Sequence, residues 1–405
     1  MKNFQYKARD KEGQLIRGSM GSETAQMVAT KLETMGYLPV EITVATNSRQ
    51  DLGSFWQRWA KVRFADLNFF TRQLFTLQRA GLPLLGSLIA IKAQSTNVLL
   101  KKSLEQIVRD IEAGSTLSDA MARHTAIFNP LYVSMVKTGE ISGRLPEILN
   151  RLTVLGESEE RIQIRLKSAV RYPLIVVFTI FAGFFALITL VVPRFVSLYS
   201  QFKTALPWPT QVLIALNYVL THFWWLLLLG LAGVVYAFGQ YIKTAIGRRQ
   251  WDGFSIKVPV FGPLILKMII SRFCRIVGIL MKSGVSILQI LELARETVGN
   301  VIFAGVISNI SQSVSEGKGM LEPMRACGLF PPVVLQMVSV GEETAKLDEL
   351  LIHVADYYDS QIEFTIDNMV SLIEPILILV LGLAVLFMAL GIFLPMWGMM
   401  KLFQQ

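Results

Sequence analysis

Two glutamates stand in matching settings. Glu140 lies in VSMVKTGEISGRLPEIL (residues 133–149) and Glu342 in LQMVSVGEETAKLDELL (residues 335–351). A carboxylate repeated in this way can cap a helix, bridge to a cation on a neighbouring helix, or contact a partner protein. Holding a metal cation would take further acids at ligand spacing, which these segments do not supply. Around the acids, Gly139 and Gly341 precede, Leu145 and Leu347 follow, and Gly143 of the first copy is replaced by Ala345 in the second. That departure makes Glu140 the more important of the pair. A further acid, Glu374, directly precedes an apolar stretch. It is functional if it lies within a bilayer, and favours a helix N-terminus if it lies at the boundary. Gly139, Glu140, Gly143, Leu145, Gly341, Glu342, Leu347 and Glu374 are thus the candidates for partner contact.

Nothing in the chain reads as an enzyme. There is no G-x-x-x-x-G-K-S/T phosphate loop, so any energy must come from another chain, and no H-E-x-x-H, C-x-x-C or G-x-S-x-G element. His124, His222 and His353 are scattered, and Cys274 and Cys327 lie too far apart for a metal or redox motif. No catalytic residue, cofactor or metal is expected.

The elements that must position the repeated acids include membrane spans. Hydrophobic residues make up 52% of the 405 and charged residues 17%, against roughly 45–50% and 25% in soluble domains. Three segments are long enough to cross a bilayer, which takes about 20 apolar residues. They are 173–193, 223–242 and 375–396, although the uncharged stretch before the second reaches back to Thr204. Trp224, Trp225 and Trp397 suit the interfacial belt. The net charge of +9 is unevenly spread: residues 1–172 carry 24 Lys and Arg, 243–372 carry 12, and 194–242 carry two. That asymmetry is the orientation bias of a membrane protein rather than a nucleic-acid footprint. It puts 1–172 and 243–372 in the cytoplasm, with the connector 194–222 and the tail 397–405 outside. The N-terminus MKNFQYKARDKEGQ has no apolar signal region, so the spans themselves are expected to direct insertion.

Self-similarity sets the architecture. The two 17-residue segments above are identical at seven positions, at an offset of 202. Upstream, RQLFTLQRAGLPLLGSL from Arg72 parallels RIVGILMKSGVSILQIL from Arg275. Gly114 pairs with Gly317, Phe128-Asn129-Pro130 with Phe330-Pro331-Pro332, and Pro173 with Pro375. Each unit is a soluble repeat (64–172 and 243–374) followed by one span. The middle span returns the chain so that both repeats face the same side. The repeats read as helical: Leu67, Phe70, Leu74 and Leu77 share a face, Asp66 can cap their helix and Gly81 can end it. Asn150–Arg171 is a further helix candidate. Gly81 and Gly284 are expected turn residues with positive φ, and Pro173 and Pro375 are expected to begin helices at the membrane surface. Residues 1–45 differ. Phe4, Tyr6 and Ala8 alternate, Asp10–Gly13 can turn, Leu15–Gly18 can return, and a short helix follows Ser22 before Tyr37–Thr43. This reads as a small α/β module, joined by a linker (46–63) carrying Phe55, Trp56 and Trp59. The fold class is mainly α: a polytopic membrane protein with two homologous cytoplasmic helical-bundle repeats, three transmembrane helices and the N-terminal module.

These features together resemble the GspF/PilC family of type II secretion and type IV pilus platform proteins. The carriers are FQYKARDKEGQLIRGS, the doubled TRQL–AGLPL and GE–(S/T)(G/A)(R/K)L elements, VRYP at 170–173, VPRF at 192–195, LPWPT at 206–210 and IEPILIL at 373–379. RHTAIFNPLYVSMVKTGEISGRL and the short linker are similar to MSHA-type (MshG-like) pilus proteins. The resemblance implies a platform in the bacterial inner membrane, with lipid around its spans. It implies a homo-oligomer, dimeric in the family picture, and neighbours among the inner-membrane assembly proteins. It further implies coupling of a separate hexameric ATPase to the extraction and assembly of pilins or pseudopilins. The competing class is a small-solute transporter, but transporters place their repeats within the membrane.

Overall fold

The computed structural model describes residues 2–9, 15–22, 24–44, 62–191, 193 and 208–402. The predicted turn at Asp10–Gly13, the linker aromatics Phe55, Trp56 and Trp59, and the connector residues Arg194 and Lys203 lie outside the described residues.

In the N-terminal module, strand β1 (Lys2–Arg9) pairs antiparallel with β2 (Leu15–Ser22) on one side and β3 (Leu38–Val44) on the other. Period-two alternation puts Phe4 and Ala8 on the covered face. Helix α1 (Ala25–Thr34), capped by the Thr24 hydroxyl, lays Val28 and Leu32 on it, and Phe4, Val28 and Leu32 form its buried core.

The helical unit shows its duplication element by element. In the first repeat α2 (Phe64–Arg79), α3 (Leu84–Gln94), α4 (Val98–Glu112), α5 (Leu117–Ala122) and α6 (Pro130–Ser142) lead into α7 (Leu145–Ala186). After α7, which continues as a π-helical turn over Leu187–Val191, come α8 (Trp208–His222), α9 (Trp224–Lys243) and α10 (Ala245–Lys257). The second repeat is α11 (Phe261–Lys282), α12 (Ile287–Thr297), α13 (Val301–Ser315), α14 (Leu321–Ala326) and α15 (Pro332–Thr344), leading into α16 (Leu347–Leu402). Local signals set these ends. The Asp66 carboxylate accepts from Arg63 N at 3.2 Å, and the Asn129 side chain accepts from Tyr132 N at 2.8 Å with Pro130 in the first position. Gly81 and Gly284 hold φ of +82° and +75° at the ends of α2 and α11. The cores match as well. Phe70 and Phe128 meet at 5.9 Å between ring centroids, and their counterparts Phe273 and Phe330 also meet at 5.9 Å.

Among the described residues, three helices are long and apolar enough to cross a membrane, within Leu145–Leu190, Trp224–Lys243 and Leu347–Gly391. Two expectations are corrected here. Pro173 and Pro375 do not begin helices: Pro173 lies inside α7 and Pro375 inside α16. Glu374 is likewise well inside α16, so it serves no helix N-terminus. The reason is that an internal proline removes one backbone donor, a loss that water and neighbouring groups at a membrane boundary can offset, while strong helix on both sides carries the chain through. α7 and α16 are thus unbroken rods of about 60 Å and 80 Å at 1.5 Å per residue. Part of the predicted connector is also a helix. α8 sets Leu213 against Ile188, beside Phe184 of α7 and Phe387 of α16, and the Thr210 hydroxyl donates to Gly391 O at 2.6 Å.

Candidate functional site

The motif around each repeated glutamate folds as a corner where three helices meet. Gly139 of α6 is buried, and a Cβ there would lie 3.0 Å from the Ile148 side chain and 3.1 Å from Leu145 Cα. At Gly341 of α15 a Cβ would lie 2.9 Å from Leu347 Cα. The glycine therefore lets the end of one helix approach the start of the next, and Leu145 and Leu347 are the first residues of α7 and α16.

The acids turn the other way. Glu140 Oε1 accepts from Leu117 N at 2.6 Å and Oε2 from Ser118 N at 2.9 Å, so the carboxylate caps the free N–H groups at the start of α5. Glu342 does the same for the short α14, accepting from Met320 N at 2.6 Å. Of the roles open from sequence, the structure gives both carboxylates an intramolecular one. Glu140 makes the two-toothed contact and is half-buried, while Glu342 is exposed.

Gly143 and Ala345 complete the corner. Both are left-handed, with φ of +67° and +55°, and in both repeats the next residue closes the turn (Arg144 N to Gly139 O at 2.9 Å, Lys346 N to Gly341 O at 3.1 Å). The glycine-to-alanine change leaves the geometry intact and adds the steric cost of a Cβ in this conformation. Ala345→Gly should therefore stabilise the protein by about 0.5–1 kcal/mol, and Gly143→Ala should destabilise it by a similar amount. Thermal unfolding of the two variants measures this. A destabilised Ala345→Gly variant would show that the turn is not strained.

A polar seam between the repeats was not anticipated from sequence. Arg275 of α11 is buried and bridges to Asp359 at 2.7 Å and Asp356 at 3.0 Å on α16. Asp359 also accepts from Ser271 of α11 at 2.5 Å and from Ser158 of α7 at 2.6 Å, so a first-repeat side chain completes a second-repeat ion pair. Beside it Arg272 clamps Glu159 of α7 with two nitrogens. Ile162, Leu264, Ile362 and Ile366 continue the seam as an apolar cluster. Across α2 and α7, Asn68 donates to Gly156 O and to Glu160, each at 2.8 Å. The signal was present in the repeat. Arg72 and Glu157 are the counterparts of Arg275 and Asp359, and they too pair, at 3.6 Å on the exposed surface.

A cavity of about 250 Å³ opens beside the seam, lined by Asn68, Thr71, Tyr132, Glu159 and Arg272 among others. These five polar side chains already have protein partners; the Tyr132 hydroxyl, for example, lies 3.0 Å from Thr71 Oγ1. Burial pushes the Tyr132 phenol up, and pushes the Cys274 thiol up to about 12, so both stay protonated at neutral pH. Among the described residues no three His, Cys, Asp or Glu side chains gather as a metal site would require. Glu374 is exposed on α16 and has no hydrogen-bond or ion-pair partner among the described residues.

Three long apolar helices and a duplicated helical bundle define a polytopic membrane protein with an internal repeat. The chain belongs to the type II secretion system protein F family. The family model, described as "Type II secretion system (T2SS), protein F", matches residues 70–193 and 273–395, one match per repeat, and the family's N-terminal domain matches residues 1–43. Among curated relatives it is 34% identical to the type IV pilus assembly protein PilC of Thermus thermophilus over 405 residues, covering 97% of each chain. Identity is 33% to PilC of Myxococcus xanthus, over 98% of this chain and 94% of that one. It is 30% to the type II secretion system protein F of Vibrio cholerae, over 99% of each.

Proposed function

We propose that this chain is a non-catalytic inner-membrane platform of a type IV pilus or type II secretion machine. It would couple a separate cytoplasmic hexameric ATPase to the extraction of pilins or pseudopilins from the membrane and their assembly into a fibre. The observation that carries this reading is full-length similarity to PilC and secretion protein F relatives, coincident with the duplicated bundle. Charge supports the orientation, with 24 and 12 basic residues in the segments assigned to the cytoplasm and two in 194–242.

The geometry suggests how motion would pass. α7 and α16 run unbroken from the repeats into the apolar segments. A displacement imposed on a repeat by the ATPase would be passed to its span, because each helix continues from repeat into span with only the one backbone hydrogen bond missing at Pro173 or Pro375. The polar seam makes the two rods move together. Glu374, a lone acid in the third apolar helix, is the partner-contact candidate left without an intramolecular role. It would face a pilin or an assembly protein within the membrane.

The test inserts Gly-Gly-Ser-Gly-Gly after Arg171 in a strain lacking the native gene. The expected result is normal membrane levels of the protein and loss of fibre assembly, since a flexible joint uncouples repeat from span. Wild-type assembly by this variant would refute mechanical coupling. In the same strain, a cysteine at Lys203 should react with an impermeant maleimide in intact spheroplasts; reaction only after lysis would reverse the orientation.

A further inference from the structure

Helix α10 follows the middle span after a single residue. Lys243 ends α9, and Thr244 caps α10 by accepting from Gly247 N at 3.1 Å. α10 then folds back along the span. Trp251 meets Phe238 edge to face at 5.1 Å, and the Tyr241 hydroxyl donates to Gln250 Oε1 at 2.5 Å. Residues 250–251 are thereby held beside residues 238–241, the last turns of an apolar helix that is buried nowhere along its span. Another side of α10 is tied to the second repeat. Asp252 Oδ2 accepts from Val301 N at 2.7 Å, its backbone carbonyl accepts from Asn300 Nδ2 at 3.3 Å, and a Cβ on Gly253 would lie 3.0 Å from Ile302.

What this leaves open is apolar and basic at once. Ile246 is 71% exposed, Phe254 61% and Trp251 41%. Lys243, Arg248 and Arg249 are exposed beside them, and no acid occurs between Lys243 and Trp251. Facing water, this surface would leave three large apolar side chains unburied. At the boundary of the bilayer that α9 crosses, the same residues suit their surroundings: aromatic and aliphatic groups at the headgroup–acyl level, and arginines against lipid phosphates.

We propose that α10 is an interfacial anchor that lies on anionic lipid and fixes the second repeat against the membrane. Continuity with α9 and the positive charge both select lipid rather than a protein partner. The inference requires α9 to span the bilayer and does not depend on the pilus or secretion reading.

The test uses the full-length protein with Cys327→Ser, retaining the buried Cys274, in nanodiscs of phosphatidylcholine with or without phosphatidylglycerol. Nitroxides are attached at Ile246→Cys and Phe254→Cys. Leu231→Cys serves as the control within α9, and Lys318→Cys as the control on the exposed turn between α13 and α14. Positions 246 and 254 should be relaxed by oxygen and shielded from a water-soluble nickel reagent, as position 231 is, whereas 318 should show the reverse. Spin-labelled phosphatidylglycerol should associate in preference to phosphatidylcholine, and that preference should fall about fivefold for each of Arg248→Gln and Arg249→Gln. Nickel accessibility at 246 and 254 equal to that at 318 would overturn the proposal and mark the face as a protein-docking surface. A lipid preference unchanged in the double variant would overturn it also. An aqueous signal at 231 would instead show that α9 does not span.

Discussion

Replacing Asp359 with alanine is expected to destabilise the helical unit by about 3–5 kcal/mol, the usual cost of removing one partner from a buried ion pair. Three groups depend on this carboxylate. Arg275, only 6% exposed, would keep Asp356 alone, an acid whose side chain is 61% exposed and well hydrated. Ser158, one of the ties to the first repeat, would lose its acceptor, and Ser271 would keep only Ala355 O at 3.3 Å. Because Asp356 still offers some compensation, the lower end of the range is expected. Arg275→Met with Asp359→Leu should recover most of the loss, since the desolvation cost of the charges disappears with them. The internal control is Glu157→Ala. It removes the corresponding acid of the first repeat, whose pair with Arg72 is exposed, and should cost no more than about 1 kcal/mol. Thermal unfolding in detergent, followed by intrinsic fluorescence, compares the three. Equal losses for Asp359→Ala and Glu157→Ala would show that the seam does not bury its charges.

Gly341→Ala is the second large effect, and here the sign is decisive. By helix propensity alone, glycine to alanine within a helix should stabilise by about 1 kcal/mol. At Gly341 the new Cβ would stand 2.9 Å from Leu347 Cα, a backbone atom that cannot rotate aside. Overpacking of this kind costs about 1–3 kcal/mol, so a net loss is expected. Gly139→Ala should lose less, because its nearest obstacle at 3.0 Å is the Ile148 side chain, which can shift, and Leu145 Cα is at 3.1 Å. Resistance to thermolysin, read together with the unfolding midpoint, ranks the two variants. Stabilisation of either one would mean that the corner is loosely packed and that the repeated glycine has some other cause.

Much of this protein is a matter of one-dimensional pattern. Apolar runs long enough for a bilayer, the asymmetry of Lys and Arg, and identities at an offset of 202 are properties of the chain itself. They define candidate spans and duplication, and set the expectation for orientation, before any contact forms. Helix ends at Asp66, Gly81 and Gly284 were legible for the same reason, since caps and left-handed turns are decided by neighbouring residues. The tertiary structure decided what the repeated acids do. Whether Glu140 meets a partner or the N–H groups of Leu117 and Ser118 depends on where α5 lies, some 20 residues upstream. It decided also that Pro173 and Pro375 sit within continuous helices, because helix on both sides outweighs one missing donor. And it assembled the seam, in which Ser158, Ser271, Arg275 and Asp359 come together from three helices. The repeat offset pairs Arg275 and Asp359 with Arg72 and Glu157, but no spacing along the chain shows which of the two pairs packing will bury. The seam's members are unremarkable polar residues until packing removes the water between them, and only then does each depend on the others for its hydrogen bonds.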